Sequence, residues 1–179
     1  MSNHKDVLER KECLLTICDC LEDNSVMVEV GCLRGESCLI FNSSGKFKQI
    51  YCVDPWMPGY DDGDMNSNID LSKVEKEFDK AIIGLSNVTK IKSFSIEAAN
   101  NWSYGKLDLV YIDACHTHDA LVSDIAAWLP HIKPGGIIAG HDYGKHDRWV
   151  EFPGIKQAVD EKFGKPDLIL PDTSWVKFL

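Results

Sequence analysis

Short, nearly unbroken apolar runs alternate along this chain with longer stretches in which apolar residues return at helical spacing. Val26–Val30, Gln49–Val53, Val88–Ile91, Leu107–Ile112 and Ile137–Gly140 have the length and composition of buried strands. Between them lie the helical stretches. Asp6–Leu21 carries Val7, Leu8, Leu14, Leu15, Cys18 and Leu21 on one stripe. Leu71–Leu85 groups Val74, Phe78, Ile82 and Leu85, and Asp119–Leu129 groups Leu121, Val122, Ile125, Trp128 and Leu129. Shorter helices are predicted at Glu36–Asn42, Ser95–Asn101 and Ile155–Phe163, the last stopped by Gly164 with Pro166 beyond. Pro134-Gly135-Gly136 reads as a turn. Leu168–Leu170 and Trp175–Phe178 follow one another without a helix, which predicts an antiparallel edge. The alternation of strands and helices predicts an α/β domain with a mainly parallel sheet.

Two stretches fall outside this rhythm. Pro55–Asn68 is polar and rich in glycine, and His141–Pro153 is irregular. Connections this long in a compact domain are usually functional or mobile. The chain of 179 residues is expected to be one domain, with an N-terminal helix in residues 1–22 and a core in residues 24–179. A net charge of −9 is a poor footprint for a phosphate backbone, so nucleic acid is not expected as a partner. No apolar run approaches the roughly 20 residues that span a bilayer. The first residues lack the apolar core of a signal peptide. Seven cysteines, without a C-x-x-C pair, read as reduced and mostly buried thiols of a cytoplasmic protein.

The candidate chemistry begins at Ser25–Ser37, S-V-M-V-E-V-G-C-L-R-G-E-S. An apolar strand, a glycine-bearing turn and a helix start form the first unit of a nucleotide-type site. The dinucleotide fingerprint G-x-G-x-x-G is replaced by Gly31-x-x-x-Gly35. Glu29 stands just before the turn, where it would repel a pyrophosphate and suit a ligand with a positive end. S-adenosylmethionine, with its ammonium and sulfonium, is such a ligand. Asp54 ends the second strand, where a carboxylate can accept both hydroxyls of a ribose.

Five segments, V-E-V-G-C-L-R-G-E-S, Y-C-V-D-P-W, I-K-S-F-S-I-E-A-A, L-D-L-V-Y-I-D-A-C-H and L-P-H-I-K-P-G-G-I-I-A-G-H-D-Y, occur in this order. Together they resemble class I S-adenosylmethionine-dependent methyltransferases, in particular the small metal-linked branch of catechol-type and macrolide-sugar O-methyltransferases. The resemblance covers about residues 24–179. It implies a Rossmann-like, doubly wound, seven-stranded sheet with a reversed last strand and helices on both faces. It also implies that Glu29, Gly31, Gly35, Asp54, Ser95 and Asp113 meet the cofactor. Ser95 is equally a candidate N-cap of its helix. Trp56 is either a pocket residue or an exposed loop aromatic.

By the same resemblance, Asp113, His141 and Asp142 are the candidate ligands of Mg2+ or another divalent cation. His141 departs from the branch's acidic pattern and stands open as an acceptor contact instead. His116, with Asp113, is the candidate catalytic pair. Imidazole titrates near neutrality and suits a general base. His118, His131 and His146 carry weaker expectations: a first-turn residue capped by Thr117, a structural residue and a substrate contact. The expected activity is methylation of a small hydroxylated acceptor, sugar-like or natural-product. The acidic run Asp61-Asp62-Gly63-Asp64 is a candidate contact to a polyol or cationic acceptor. A nicotinamide-dependent oxidoreductase and a non-catalytic cofactor-binding module remain as alternatives, and self-association is left open.

Overall fold

The computed structural model describes residues 4–58, 69–146 and 150–179. In chain order the elements are α1 (His4–Asp19), β1 (Ser25–Val30), α2 (Glu36–Ser43), β2 (Phe47–Asp54), α3 (Leu71–Ala81), β3 (Val88–Lys92) and α4 (Ser95–Asn100). They continue with β4 (Leu107–Ile112), α5 (His118–Trp128), a 3-10 turn (Leu129–His131), β5 (Ile132–Gly140), α6 (Pro153–Phe163), β6 (Leu168–Ile169) and β7 (Trp175–Phe178).

The strands form one sheet in the order β3-β2-β1-β4-β5-β7-β6. β1 lies parallel to β2 on one side and to β4 on the other, with Val28 opposite Tyr51 and Val110. The order reverses between β1 and β4, so a crevice opens outside their carboxyl ends. That is where open α/β sheets take ligands. β7 is the reversed strand, antiparallel to both β5 and β6. The expected antiparallel pair is present, but β7 is interior and only β6 forms the edge.

Alternation along each strand feeds two cores. Met27, Ile50, Cys52, Leu109, Tyr111, Ala139 and Val176 point to one face and pack with Leu14, Ile17, Phe41 and Phe78 of α1, α2 and α3. Val28, Val30, Val53, Val110, Ile112 and Ile138 point to the other and pack with Leu121, Ile125, Trp128, Ile155 and Val159 of α5 and α6. Both faces are covered, which is why the strands read as apolar runs rather than as alternating patterns.

Three expectations change. Val7 and Leu8 lie on the solvent side of α1, at 51% and 46% exposure; the packed stripe is Cys13, Leu14, Ile17, Cys18 and Leu21. α3 ends at Ala81 rather than at Leu85, because Gly84 takes φ 84° and the chain closes in a turn from Ile82 to Leu85. Pro134-Gly135-Gly136 is part of β5 rather than a separate turn. The Gly135 amide donates to the Leu179 carbonyl and the Leu179 amide to the Gly136 carbonyl, which extends the ladder toward the C-terminus. Among the described residues no helix is long and apolar enough to cross a membrane. All seven cysteines are free thiols, five of them buried.

Candidate active site

The turn after β1 is built by close approach. Gly31 has φ 86°, and a Cβ there would stand 2.0 Å from the Asp113 carbonyl oxygen. No side chain fits, so β1 and β4 deliver their ends into direct backbone contact. The Gly31 amide donates to the Val53 carbonyl at 2.9 Å, and the Asp113 amide to the Val30 carbonyl at 2.8 Å. Gly35, at φ 85°, precedes α2 and faces the Phe78 ring of α3 at 3.0 Å from its virtual Cβ.

Asp54 ties β2 to this turn. Its Oδ2 accepts from the Cys32 and Leu33 amides at 2.9 and 3.0 Å, and its Oδ1 from the Trp56 amide at 2.7 Å. Burial raises its pKa above the ordinary carboxylate range while the three amides work against that rise. Glu29 lies deeper, with no exposed surface, and accepts a hydrogen bond from Ser37 at the start of α2. Burial pushes its carboxyl up to about 7, with the Ser37 bond opposing. Glu29 is not among the residues lining the crevice; it stands beneath the turn.

The crevice is a cavity of about 240 Å³ lined by Gly31, Asp54, Phe94, Ser95, Cys115 and Asp124, among others. Small-molecule sites run from roughly 300 Å³ upward, so this volume suits the nucleoside part of a larger ligand. Ser95 is the first residue of α4; Phe94 holds the cap position, so Ser95 is not the N-cap. Its Oγ accepts from Trp128 Nε1 at 3.0 Å and is hydrogen-bonded to Asp124. Asp124 is 5% exposed, and burial pushes its carboxyl up to about 6, with the Ser95 bond opposing.

Beside the cavity stands a second cluster. Asp113, His141 and Asp142 each offer a ligand atom, and these atoms lie within 4.8 Å of one another. His116 Nε2 is 3.1 Å from Asp142 Oδ2 and 3.9 Å from Asp113 Oδ1, with its ring stacked on Phe152 at 4.2 Å. His141 Nδ1 is 3.1 Å from the same Asp142 oxygen. Asp142 is set in the left-handed region, φ 64°. Burial raises the pKa of both carboxyls, but cations and imidazoles nearby outweigh it. The result places Asp113 and Asp142 below the ordinary carboxylate range. Burial also opposes the imidazolium of His116, yet hydrogen bonds to Asp113 and Asp142 push it up to about 11. In this arrangement His116 is a cation.

Two carboxylates and one imidazole are a donor set that fits a borderline divalent ion such as Mn2+ better than the all-oxygen preference of Mg2+. A second group, Glu29, Cys38 and Cys52, is equally close but fully enclosed in the core. Hydrogen bonding among the thiols, then burial, keeps Cys38 protonated, so this group reads as packing.

Trp56 neither lines the cavity nor stands exposed. It is buried on Phe78, and its Nε1 donates to the Leu33 carbonyl at 2.9 Å, which braces the turn from behind. His118 links α5 to α6 through Glu161 at 2.8 Å, with Thr117 capping the helix. His131 packs against Trp102 and Trp128. His146 meets Glu9 of α1 at 3.1 Å. Asp61, Asp62 and Asp64 lie outside the described residues. Sequence reasoning missed Asp124 and Arg10. Asp124 had a signal, since it is the one acid on the apolar face of α5, between Leu121 and Trp128. Arg10, whose Nη2 donates to Asp113 at 2.5 Å, had none.

Residues 28–143 match the family model described as a methyltransferase domain. A relative, the uncharacterized protein R132 of Acanthamoeba polyphaga mimivirus, is 25% identical over 78% of this chain. The chain spans about 60% of that relative's length. The fold is similar to that of the O-methyltransferase NovP (TM-score 0.69, 14% identity, 95% of this chain and 79% of that one). It is also similar to SMU.1697c of Streptococcus mutans, solved with S-adenosylhomocysteine (TM-score 0.61, 14% identity, all of both chains). A Clostridium thermocellum protein assigned as an rRNA methylase matches too (TM-score 0.63, 14% identity, 96% and 97%). At these identities the likeness is one of fold. With the family match over residues 28–143, and with sheet order and crevice in agreement, this chain belongs to the methyltransferase-domain family.

Proposed function

We propose that the chain is an S-adenosylmethionine-dependent O-methyltransferase acting on a small hydroxylated acceptor, with a divalent cation at Asp113, His141 and Asp142. The observation that carries this reading is the backbone contact of Gly31 with Asp113. It fuses a nucleoside-sized cavity to a cluster of carboxylates and imidazoles. One side can hold a donor and the other an acceptor, and holding the two close together favours transfer between them.

Asp54 faces the cavity with oxygens that still have lone pairs for ribose hydroxyls. Ser95 and Asp124 stand farther along the same wall and receive the base. Glu29 acts as a positioning residue, holding the turn through Ser37. When bound, S-adenosylmethionine supplies a methyl group activated by its sulfonium. When bound, a divalent cation supplies Lewis acidity that lowers the pKa of a coordinated hydroxyl. In this reading His116 Nε2 takes the acceptor's proton. In the described arrangement that atom already carries a proton, held by Asp142. The base function therefore requires Asp113 and Asp142 to be engaged by another cation.

The chain's net charge of −9 favours a small acceptor over a polyanionic one. The test is transfer of a radiolabelled methyl group from S-adenosylmethionine to a panel of sugars, catechols and other hydroxylated small molecules, with RNA as a parallel arm. Label on a hydroxylated small molecule, lost on chelation, is the expected result. Label on RNA alone overturns the acceptor. Chelator-insensitive transfer overturns the cation. Cofactor binding without transfer to any acceptor supports a non-catalytic module instead.

A further inference from the structure

Arg10 lies outside the segment that matches the family, on α1, yet it reaches the centre of the carboxylate cluster. α1 packs on the sheet through Leu14, Ile17 and Cys18, each at 0–1% exposure. From that base it presents two neighbouring charged residues to the carboxyl ends of the strands. Glu9 meets His146 at 3.1 Å, and Arg10 Nη2 donates to Asp113 Oδ2 at 2.5 Å. The Arg10 side chain is 24% exposed and that of Asp113 is 18%. Among the described residues, Asp113 is the only side-chain hydrogen-bond partner of the Arg10 guanidinium.

Asp113 is also the candidate ligand that sits with His141 and Asp142 within 4.8 Å. Its oxygen Oδ2 is already committed to a guanidinium, which is always charged. A divalent ion among these three side chains would stand close to that fixed positive charge, in a part-buried site where screening is weak. The guanidinium also withdraws donor strength from the carboxylate it binds.

We propose that Arg10 is a built-in cation that competes with a divalent metal for Asp113, so that the seating of α1 sets the metal affinity of the site. This rests on the reading that Asp113, His141 and Asp142 hold an ion. When α1 is seated, the cluster is neutralised from within the chain. When Arg10 withdraws, Asp113 Oδ2 is released, and His116 is the positive group that still faces Asp113 and Asp142.

The experiment is a titration of the full chain with Mn2+, read by the electron paramagnetic resonance signal of the free ion. The proposal expects Arg10→Gln and Arg10→Met to bind Mn2+ at least tenfold more tightly than the natural chain. It expects Arg10→Lys, which keeps the charge, to bind as weakly as the natural chain, and Asp113→Asn to abolish the gain when added to Arg10→Gln. Equal or weaker binding by both uncharged variants overturns the competition while leaving the metal reading in place. Absence of Mn2+ binding in every variant overturns the metal reading and the proposal with it.

Discussion

Asp54, at the end of β2, accepts a hydrogen bond from the Cys32 amide in the turn after β1 at 2.9 Å. Two features that look independent in the sequence, the glycine turn and the acid 22 residues beyond Cys32, are one device. The same carboxylate also holds the Leu33 and Trp56 amides, so it shapes the cavity wall before any ligand arrives. Replacement by Ala would leave three enclosed amides unpaired. Each such loss costs about 1–3 kcal/mol. Asp54→Ala is therefore expected to lose several kcal/mol in urea unfolding, roughly three times that range's lower end or more. Asp54→Asn keeps one acceptor oxygen and should fall between the two.

Gly31 is held to glycine by both φ and space. Gly31→Ala is expected to destabilise by about 3 kcal/mol or more, since overpacking and left-handed strain act together. Gly35→Ala carries the same left-handed strain, at φ 85°, but in space it meets side chains that can shift, the Phe78 ring at 3.0 Å and Ala81 Cβ at 3.7 Å, rather than backbone. Its expected cost is about 1–2 kcal/mol. Thermal unfolding of the two variants side by side checks the order.

The Asp124 carboxyl, bonded to Ser95 on the cavity wall, is suited to accept from the exocyclic amino group of adenine. Asp124→Ala is expected to weaken S-adenosylhomocysteine binding about tenfold, or ~1.4 kcal/mol. The natural chain should prefer S-adenosylhomocysteine to S-inosylhomocysteine, and the variant should lose most of that preference. Competition binding with the two ligands measures it.

Glu29 makes stability depend on pH. Its carboxyl titrates at about 7 in the folded chain, against 4.5 for the ordinary group. Between these values the folded chain holds a proton that the unfolded chain has released. The contribution to stability is full below the lower value and is lost as pH rises through the upper one. Glu29→Gln removes this dependence. The natural chain is expected to lose about 2 kcal/mol relative to the variant between pH 5 and pH 8. Urea unfolding of both chains at the two pH values reads the difference.

Much of this architecture was legible in the sequence. β1 and β4 are covered on both sides and appear as apolar runs, and the mainly parallel α/β layout follows from the alternation of strands with helices, while the seven strands and the reversed last one were implied by the family resemblance. What was not legible depends on which face packing selects. Val7 and Leu8 match helical spacing with Leu14 and Leu15, but the anchored face of α1 turns them outward. Trp56 looked like a loop aromatic because nothing local announces Phe78 and the Leu33 carbonyl as its partners. In the site, Gly31, Asp54, Ser95, Asp113, His116, His141 and Asp142 were all named from motifs. The structure brings them to one end of the sheet. Arg10 was invisible because its role exists only through a contact 103 residues away in the chain.

The central claim is that the cavity between Gly31, Asp54 and Ser95 holds the adenosine of S-adenosylmethionine. Isothermal titration of the full chain with S-adenosylhomocysteine tests it most directly. Saturable one-to-one binding in the micromolar range, weakened at least tenfold by Asp54→Asn, is the predicted result. No heat of binding at millimolar ligand, or an affinity that Asp54→Asn leaves unchanged, would contradict it.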